Sequence, residues 1–304
     1  MRRVLAAALL LSAVACGCGR SGGPVAAGQG SGARFSVVAA ENFWGSLAAQ
    51  LAGTRADVSS IIVNPNTDPH SYEPDAQDAR TIAGGQVVIV NGIGYDEWAT
   101  RLLSASPLSG RVVLNVGKAL GLHEGDNPHQ WYSPAHVVAV INAVTAAYQK
   151  LDPSDAAYFS QQRNRLLTVG LARYDELRRE IRSRFAGVPV GYSESIFAPL
   201  GEDLGLNLLT PYSFAKAIAE GTDVTAADKQ AVDEQASRRL IKAWVFNSQN
   251  VTPDVQRVNA IVKQQRIPVA TVTETLAPPG DSFQQWQVAE LEALLAALRA
   301  SGAR

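Results

Sequence analysis

Residues 58–74 read Val58-Ser59-Ser60-Ile61-Ile62-Val63-Asn64-Pro65-Asn66-Thr67-Asp68-Pro69-His70-Ser71-Tyr72-Glu73-Pro74, an apolar, β-branched run that breaks into a proline-marked turn. The run reads as a strand. Pro69 fixes its own φ and pushes the residue before it to extended geometry. His70 is therefore expected on a stiff turn at a strand end, aimed outward, and not in a core. A second segment repeats the pattern after the run Val112 to Val116: Asp126-Asn127-Pro128-His129-Gln130-Trp131-Tyr132-Ser133-Pro134. Only four histidines occur in 304 residues, and two of them follow Asp-Pro or Asn-Pro. Two converging imidazoles of this kind suggest a metal site.

Working outward, strands and helices alternate. Phe35 to Ala39, Val58 to Val63, Gln86 to Asn91 and Val112 to Val116 read as buried strands. Helical stretches lie near Phe43 to Leu51, Ala76 to Ala83 and Tyr95 to Leu103. A fourth runs from Pro134 to Lys150, with Ser133 as cap and Pro134 at the first helical position. The second half repeats the scheme. Strands are expected at Val188 to Tyr192, Leu206 to Leu209, Ile241 to Phe246 and Pro268 to Thr273. Helices are expected near Phe197 to Asp203, Ala226 to Arg238, Pro253 to Gln265 and Phe283 to Arg299. This alternation predicts an α/β fold of two lobes, each a mostly parallel sheet flanked by helices.

Between the halves, Asp155 to Phe185 holds no proline. Apolar or aromatic residues and one glycine recur at Phe159, Leu166, Gly170, Tyr174, Leu177, Ile181 and Phe185, at helical spacing. Some 30 helical residues span roughly 45 Å, enough to link two lobes with one helix. The expected division is a signal peptide over 1–15, a tether over 16–33, an N-terminal lobe over 34–152, a linking helix over 153–186 and a C-terminal lobe over 187–304.

Arg2 and Arg3 precede a short apolar segment, Val4 to Val14, that ends in Ala13-Val14-Ala15-Cys16. That is a secretory signal, too short to span a bilayer permanently. A cysteine after small residues is the bacterial lipoprotein pattern, so Cys16 is the expected lipid site and Cys18 the weaker alternative. Gly17 to Ala33 is rich in Gly and Ser and reads as a flexible tether. These two cysteines are the only ones, so the exported body has no disulfide framework. A net charge of −1 with mixed signs argues against nucleic acid as a partner.

Ligands of open α/β sheets bind beyond the carboxyl ends of the strands. His70 follows the second strand and His129 the fourth. Glu194 follows the first strand of the second half, and Glu274 follows the last. Each half thus offers two candidates for a four-residue cation site. The alternatives are a turn histidine bonded to backbone, a helix-start role for Glu194, and Asp281 as the cap of the last helix beside Glu274. His136 is expected at the surface or near the site. His123 and Asp126 are expected to be solvated or accessory.

At these residues the chain resembles a family. Asp68-Pro69-His70-Ser71-Tyr72-Glu73-Pro74, Asn91-Gly92-Ile93-Gly94-Tyr95-Asp96-Glu97-Trp98 and Asn127-Pro128-His129-Gln130-Trp131 look like the zinc/manganese solute-binding lipoproteins of bacterial ABC transporters. Ser193-Glu194-Ser195-Ile196-Phe197 resembles the third-ligand segment in its carboxylate form, and Thr273-Glu274-Thr275 stands where the fourth ligand is usually written Thr-Asp-Ser. The resemblance implies two lobes joined by a long helix, with one divalent transition-metal ion, Zn²⁺ or Mn²⁺ with Fe²⁺ as the further alternative, held between them as cargo. It also implies a membrane permease as partner, a monomeric receptor, and attachment to the outer face of the cytoplasmic membrane. The chain departs from the pattern in three ways. Glu274 has a longer arm than Asp, which puts bidentate geometry in question. Glu194 stands where the zinc branch usually has a third histidine. The histidine-rich loop is reduced to His123, Glu124 and Asp126.

Two imidazoles and two carboxylates are permissive between zinc and manganese. The competing functions are a metal-dependent hydrolase or iron enzyme using the two histidines and a carboxylate, and a chelate- or organic-ligand-binding protein of the same architecture. Catalytic metal sites keep an open coordination position, and four protein ligands closing round an ion tell against an enzyme. A chelate binder would line its cleft with aromatic or basic residues instead.

Overall fold

A computed structural model describes residues 34–303. Cys16, Cys18, the signal segment and the tether lie outside the described residues. The first half runs β1 (Phe35–Glu41), α1 (Asn42–Ala52), β2 (Ala56–Ile62), α2 (Ala76–Gly84), β3 (Val87–Val90), α3 (Glu97–Ala105), β4 (Val112–Asn115), α4 (Val116–Ala119) and α5 (Pro134–Leu151). Two helices, α6 (Ala156–Arg165) and α7 (Ala172–Phe185), connect it to the second half. That half runs β5 (Pro189–Tyr192), α8 (Ala198–Asp203), β6 (Asn207–Leu208), α9 (Tyr212–Ala219), α10 (Ala226–Ser237), β7 (Ala243–Asn247), α11 (Pro253–Gln264), β8 (Val269–Val272) and α12 (Phe283–Ala300).

Each half holds a four-stranded, all-parallel sheet. The orders are β2-β1-β3-β4 and β6-β5-β7-β8, so the two sheets share one plan. Val37 stands opposite Val58 and Val87, and Val190 opposite Leu208 and Ala243. The four residues of β3, Val87 to Val90, are all buried, as expected of a central parallel strand covered on both faces. Burying each such side chain stabilises by about 1.5–3 kcal/mol. With no cysteine in the described body, this burial has to hold the fold. One apolar core contains residues of both sheets, from Val37 and Ile89 to Val190 and Val272, and includes the buried face of α7 and α12. The second half keeps a further core around Phe214, Trp244 and Val258.

The strands and main helices lie where the sequence puts them, with differences in detail. First, the linking stretch is two α-helices joined through a π turn over Leu166–Gly170. Leu166 and Leu171 are both buried. At about 100° per residue, a step of five would leave them roughly 140° apart on an α-helix. The amide of Leu171 bonds to the carbonyl of Leu166 at 2.9 Å, and this i→i+5 bond brings both onto the core. Leu171 therefore takes the buried place that the spacing assigned to Gly170. Second, Ser133 stands at the N-cap of α5 without a side-chain cap bond. A 3₁₀ turn, Gln130–Tyr132, precedes it, and the Ser133 amide bonds back to Gln130. Third, Ser282 and not Asp281 caps α12, in a capping box with Gln285. Fourth, the short helices α4 and α9 have no counterpart in the sequence reading.

Candidate metal centre

The carboxyl ends of both sheets converge on one place. Asp68 positions His70 by accepting from the His70 amide at 2.9 Å and from Ser71 Oγ at 2.9 Å, which caps a 3₁₀ turn at Pro69–Ser71. His129 precedes the 3₁₀ turn Gln130–Tyr132 and is fully buried. Glu194 follows β5 in extended backbone and makes no helix-cap bond, so its side chain is free to face inward. Glu274 follows β8; Gln249 Oε1 accepts from its amide at 2.6 Å and from the Thr275 amide at 3.1 Å.

One ligand-type atom from each of His70, His129, Glu194 and Glu274 lies within 4.8 Å of every other. His129 Nε2 is 3.7 Å from Glu194 Oε1 and 3.5 Å from Glu274 Oε1. Donor atoms about 2.0–2.1 Å from a tetrahedral ion stand about 3.3 Å apart, so these separations are close to a filled shell. Three of the facing atoms, His70 Nε2, His129 Nε2 and Glu194 Oε1, are buried without a hydrogen-bond partner among the described residues. Buried polar atoms are rarely left so.

The tautomer of His129 follows from its neighbour. Asn127 Nδ2 donates to the Ser195 carbonyl at 2.8 Å, which turns Asn127 Oδ1 toward His129. That oxygen lies 2.7 Å from His129 Nδ1, so Nδ1 carries the proton and Nε2 presents its lone pair. Burial lowers the His129 pKa to about 4, and the Glu194 charge only partly opposes this. Burial also lowers His70. Burial thus favours the neutral form of both imidazoles, the form that binds metal. Burial raises both carboxyls; for Glu194 the charge of Glu274 adds to the effect. Lone pairs and carboxyl oxygens face one another, and three of the facing atoms have no donor among the described residues. That arrangement is unfavourable alone and is relieved by a cation.

Several residues hold these four in place. Tyr95 OH donates to Glu274 Oε2 at 3.0 Å, and its ring packs edge-on against His70 at 4.6 Å. Because α3 starts at Glu97, two residues later than expected, Tyr95 lies in the loop and reaches the site. Tyr132, Glu290 and Thr273 form a buried network: Tyr132 OH is 2.6 Å from Glu290 Oε2 and donates to the Thr273 carbonyl at 2.9 Å. Asn247 donates to Glu194 Oε2 at 2.7 Å and to Glu274 Oε1 at 3.1 Å. The sequence reading assigned no role to Tyr95, Asn127, Asn247 or Glu290. The available signal was position, since Tyr95 and Asn127 lie inside quoted motifs and Asn247 follows a predicted strand. His123 and Asp126 are exposed; Asp126 accepts from the His123 amide at 2.9 Å. His136 is half-buried against Gln130. A 260 Å³ cleft lined by His70, Tyr95, Asp126, Tyr212 and Glu220 opens beside the four residues.

The family described as zinc-uptake complex component A, periplasmic, matches residues 37–297. A manganese-binding lipoprotein of Halalkalibacterium halodurans is 26% identical over 208 residues, covering 66% of each chain. A manganese ABC transporter substrate-binding lipoprotein of Streptococcus anginosus is 24% identical over 193 residues, covering 59% of each. The chain thus spans 59–66% of these relatives' lengths. Among solved structures, a manganese-bound periplasmic metal-binding protein from Candidatus Liberibacter asiaticus superposes with a TM-score of 0.74 at 18% identity, over 87% of this chain and 100% of that one. At that identity the likeness is one of fold.

Proposed function

The chain belongs to the family of zinc-uptake complex component A, periplasmic, and from this we propose that it is the extracytoplasmic receptor of a metal ABC transporter. It captures one divalent transition-metal ion and delivers it to a membrane permease. This is a family of substrate-binding proteins and not of enzymes. The proposed ligands are His70, His129, Glu194 and Glu274, and the ion is cargo. The observation that carries this is the convergence of four ligand-type side chains, three of them presenting buried atoms without partners. The division into lobes over 34–152 and 187–304, joined by the stretch 153–186, belongs to the same proposal, as does action as a monomer.

Relatives named as lipoproteins support export and anchoring. Cys16 is the proposed lipid site. Among the described residues no helix is long and apolar enough to cross a membrane, so in this proposal the anchor is the lipid. Elemental analysis of protein purified from native expression tests the cargo. One equivalent of a transition metal per chain is expected; metal-free protein that also takes up no added ion would contradict the proposal. Mass spectrometry of the native N-terminus tests the anchor, with a diacylated Cys16 expected and an unmodified start against it.

A further inference from the structure

The two carboxylates are not free at all their oxygens. Asn247 is fully buried at the end of β7, and its Nδ2 reaches Glu194 Oε2 at 2.7 Å and Glu274 Oε1 at 3.1 Å. Its orientation is fixed. Oδ1 accepts from the Gln249 amide at 3.0 Å, and its own amide donates to Ser193 Oγ at 2.9 Å. The amino end therefore faces the carboxylates. Glu274 Oε2 is taken by Tyr95 OH at 3.0 Å. Glu194 Oε1 alone of the four oxygens has no partner among the described residues.

We infer that Asn247 is a specificity-determining positioning residue that bridges both glutamates, holds Glu194 to one-oxygen binding as Tyr95 holds Glu274, and so favours a four-coordinate, zinc-type ion over manganese. The inference rests on the metal-receptor reading above. To bind through both oxygens, Glu194 must surrender its bond to Asn247, and Glu274 must surrender its bond to Tyr95. A third anionic side chain at 247 would add charge to the site; the neutral amide adds none. With two imidazole nitrogens and one oxygen from each carboxylate, the shell closes at four donors, a tetrahedral set. Mn²⁺ favours six oxygen-rich donors, which this clamp withholds.

Cobalt(II) reports coordination number directly. The wild-type Co²⁺ complex is expected to show the intense visible bands of a four-coordinate ion. Asn247→Ala should weaken them as Glu194 Oε2 is released to the ion. Partners behind a ligand are worth about 10–100-fold in metal affinity, and the Zn²⁺/Mn²⁺ affinity ratio, measured by chelator competition, should fall about tenfold in this variant. Asn247→Leu roughly keeps the side-chain volume, adds no charge and cannot donate to either carboxylate. It should shift both readouts the same way, and it carries the test if the truncation unfolds. Weak bands in the wild type, or variants with unchanged spectrum and ratio, overturn the inference while leaving metal capture standing. Wild-type protein that takes up none of the three ions overturns both, a distinguishable outcome.

Discussion

Asn127 orients His129 for the role proposed for it. Its carbonyl oxygen fixes the proton on Nδ1, and its amino group is held in turn by the Ser195 carbonyl. Asn127→Ala should weaken Zn²⁺ binding about 10–100-fold with little change in the far-ultraviolet spectrum. Unchanged affinity by chelator competition would remove Asn127 from the account. The contrast with the histidines shows what single residues reveal in a sequence. His70 and His129 were legible because a preceding proline fixes local geometry, and local geometry is written in neighbouring residues. Asn127 reads only as a turn residue, because its partner Ser195 lies 68 positions away. Asn247 and Tyr95 were silent for the same reason: their partners are the two glutamates, met only through the tertiary fold.

At the level of elements, β-branched runs and helical spacing located all eight strands and most helices. What escaped were short helices such as α9 and the π turn at Leu166–Gly170. The π turn exists because two buried leucines are spaced by five, a phase that emerges only when the helix lies on the core. The contact between the turn after His129 and the end of β8 is equally invisible in sequence. Tyr132, Glu290 on α12 and Thr273 meet there. Burial raises the Glu290 carboxyl to about 8, against the pull of the Tyr132 and Thr273 hydrogen bonds. Its folded-state value therefore lies above the unfolded one. The folded state holds the proton more tightly, so the stability from this group is complete below about pH 4 and is lost as pH rises toward 8. The difference in unfolding free energy between apo wild type and Glu290→Gln should decline steadily from pH 5 to 8. Parallel pH profiles from denaturant titrations would show that Glu290 does not set this dependence.

Across the whole molecule, the two sheets share one apolar core, and α12 of the second half also touches α1 of the first. Gln50 and Gln284 exchange amide bonds at 3.0 and 2.7 Å, and the Phe283 amide donates to Ser46 Oγ at 2.9 Å. Opening the halves widely would break these contacts together. Metal release should therefore come from local shifts of the turns bearing His70 and His129, with Glu194 and Glu274 held at strand ends. Between apo and metal-bound protein the radius of gyration should change little, while hydrogen-exchange protection rises over residues 64–74 and 123–133. A large closure by small-angle scattering, without local change in those turns, would contradict this.

Titration of the apo protein with Zn²⁺ decides whether these four side chains hold the cargo, as we propose. One ion per wild-type chain is expected, with His70→Ala, His129→Ala and Glu194→Gln each sharply weakened and all still folded. Wild-type stoichiometry and affinity in any of the folded variants would show that the altered residue is not a ligand.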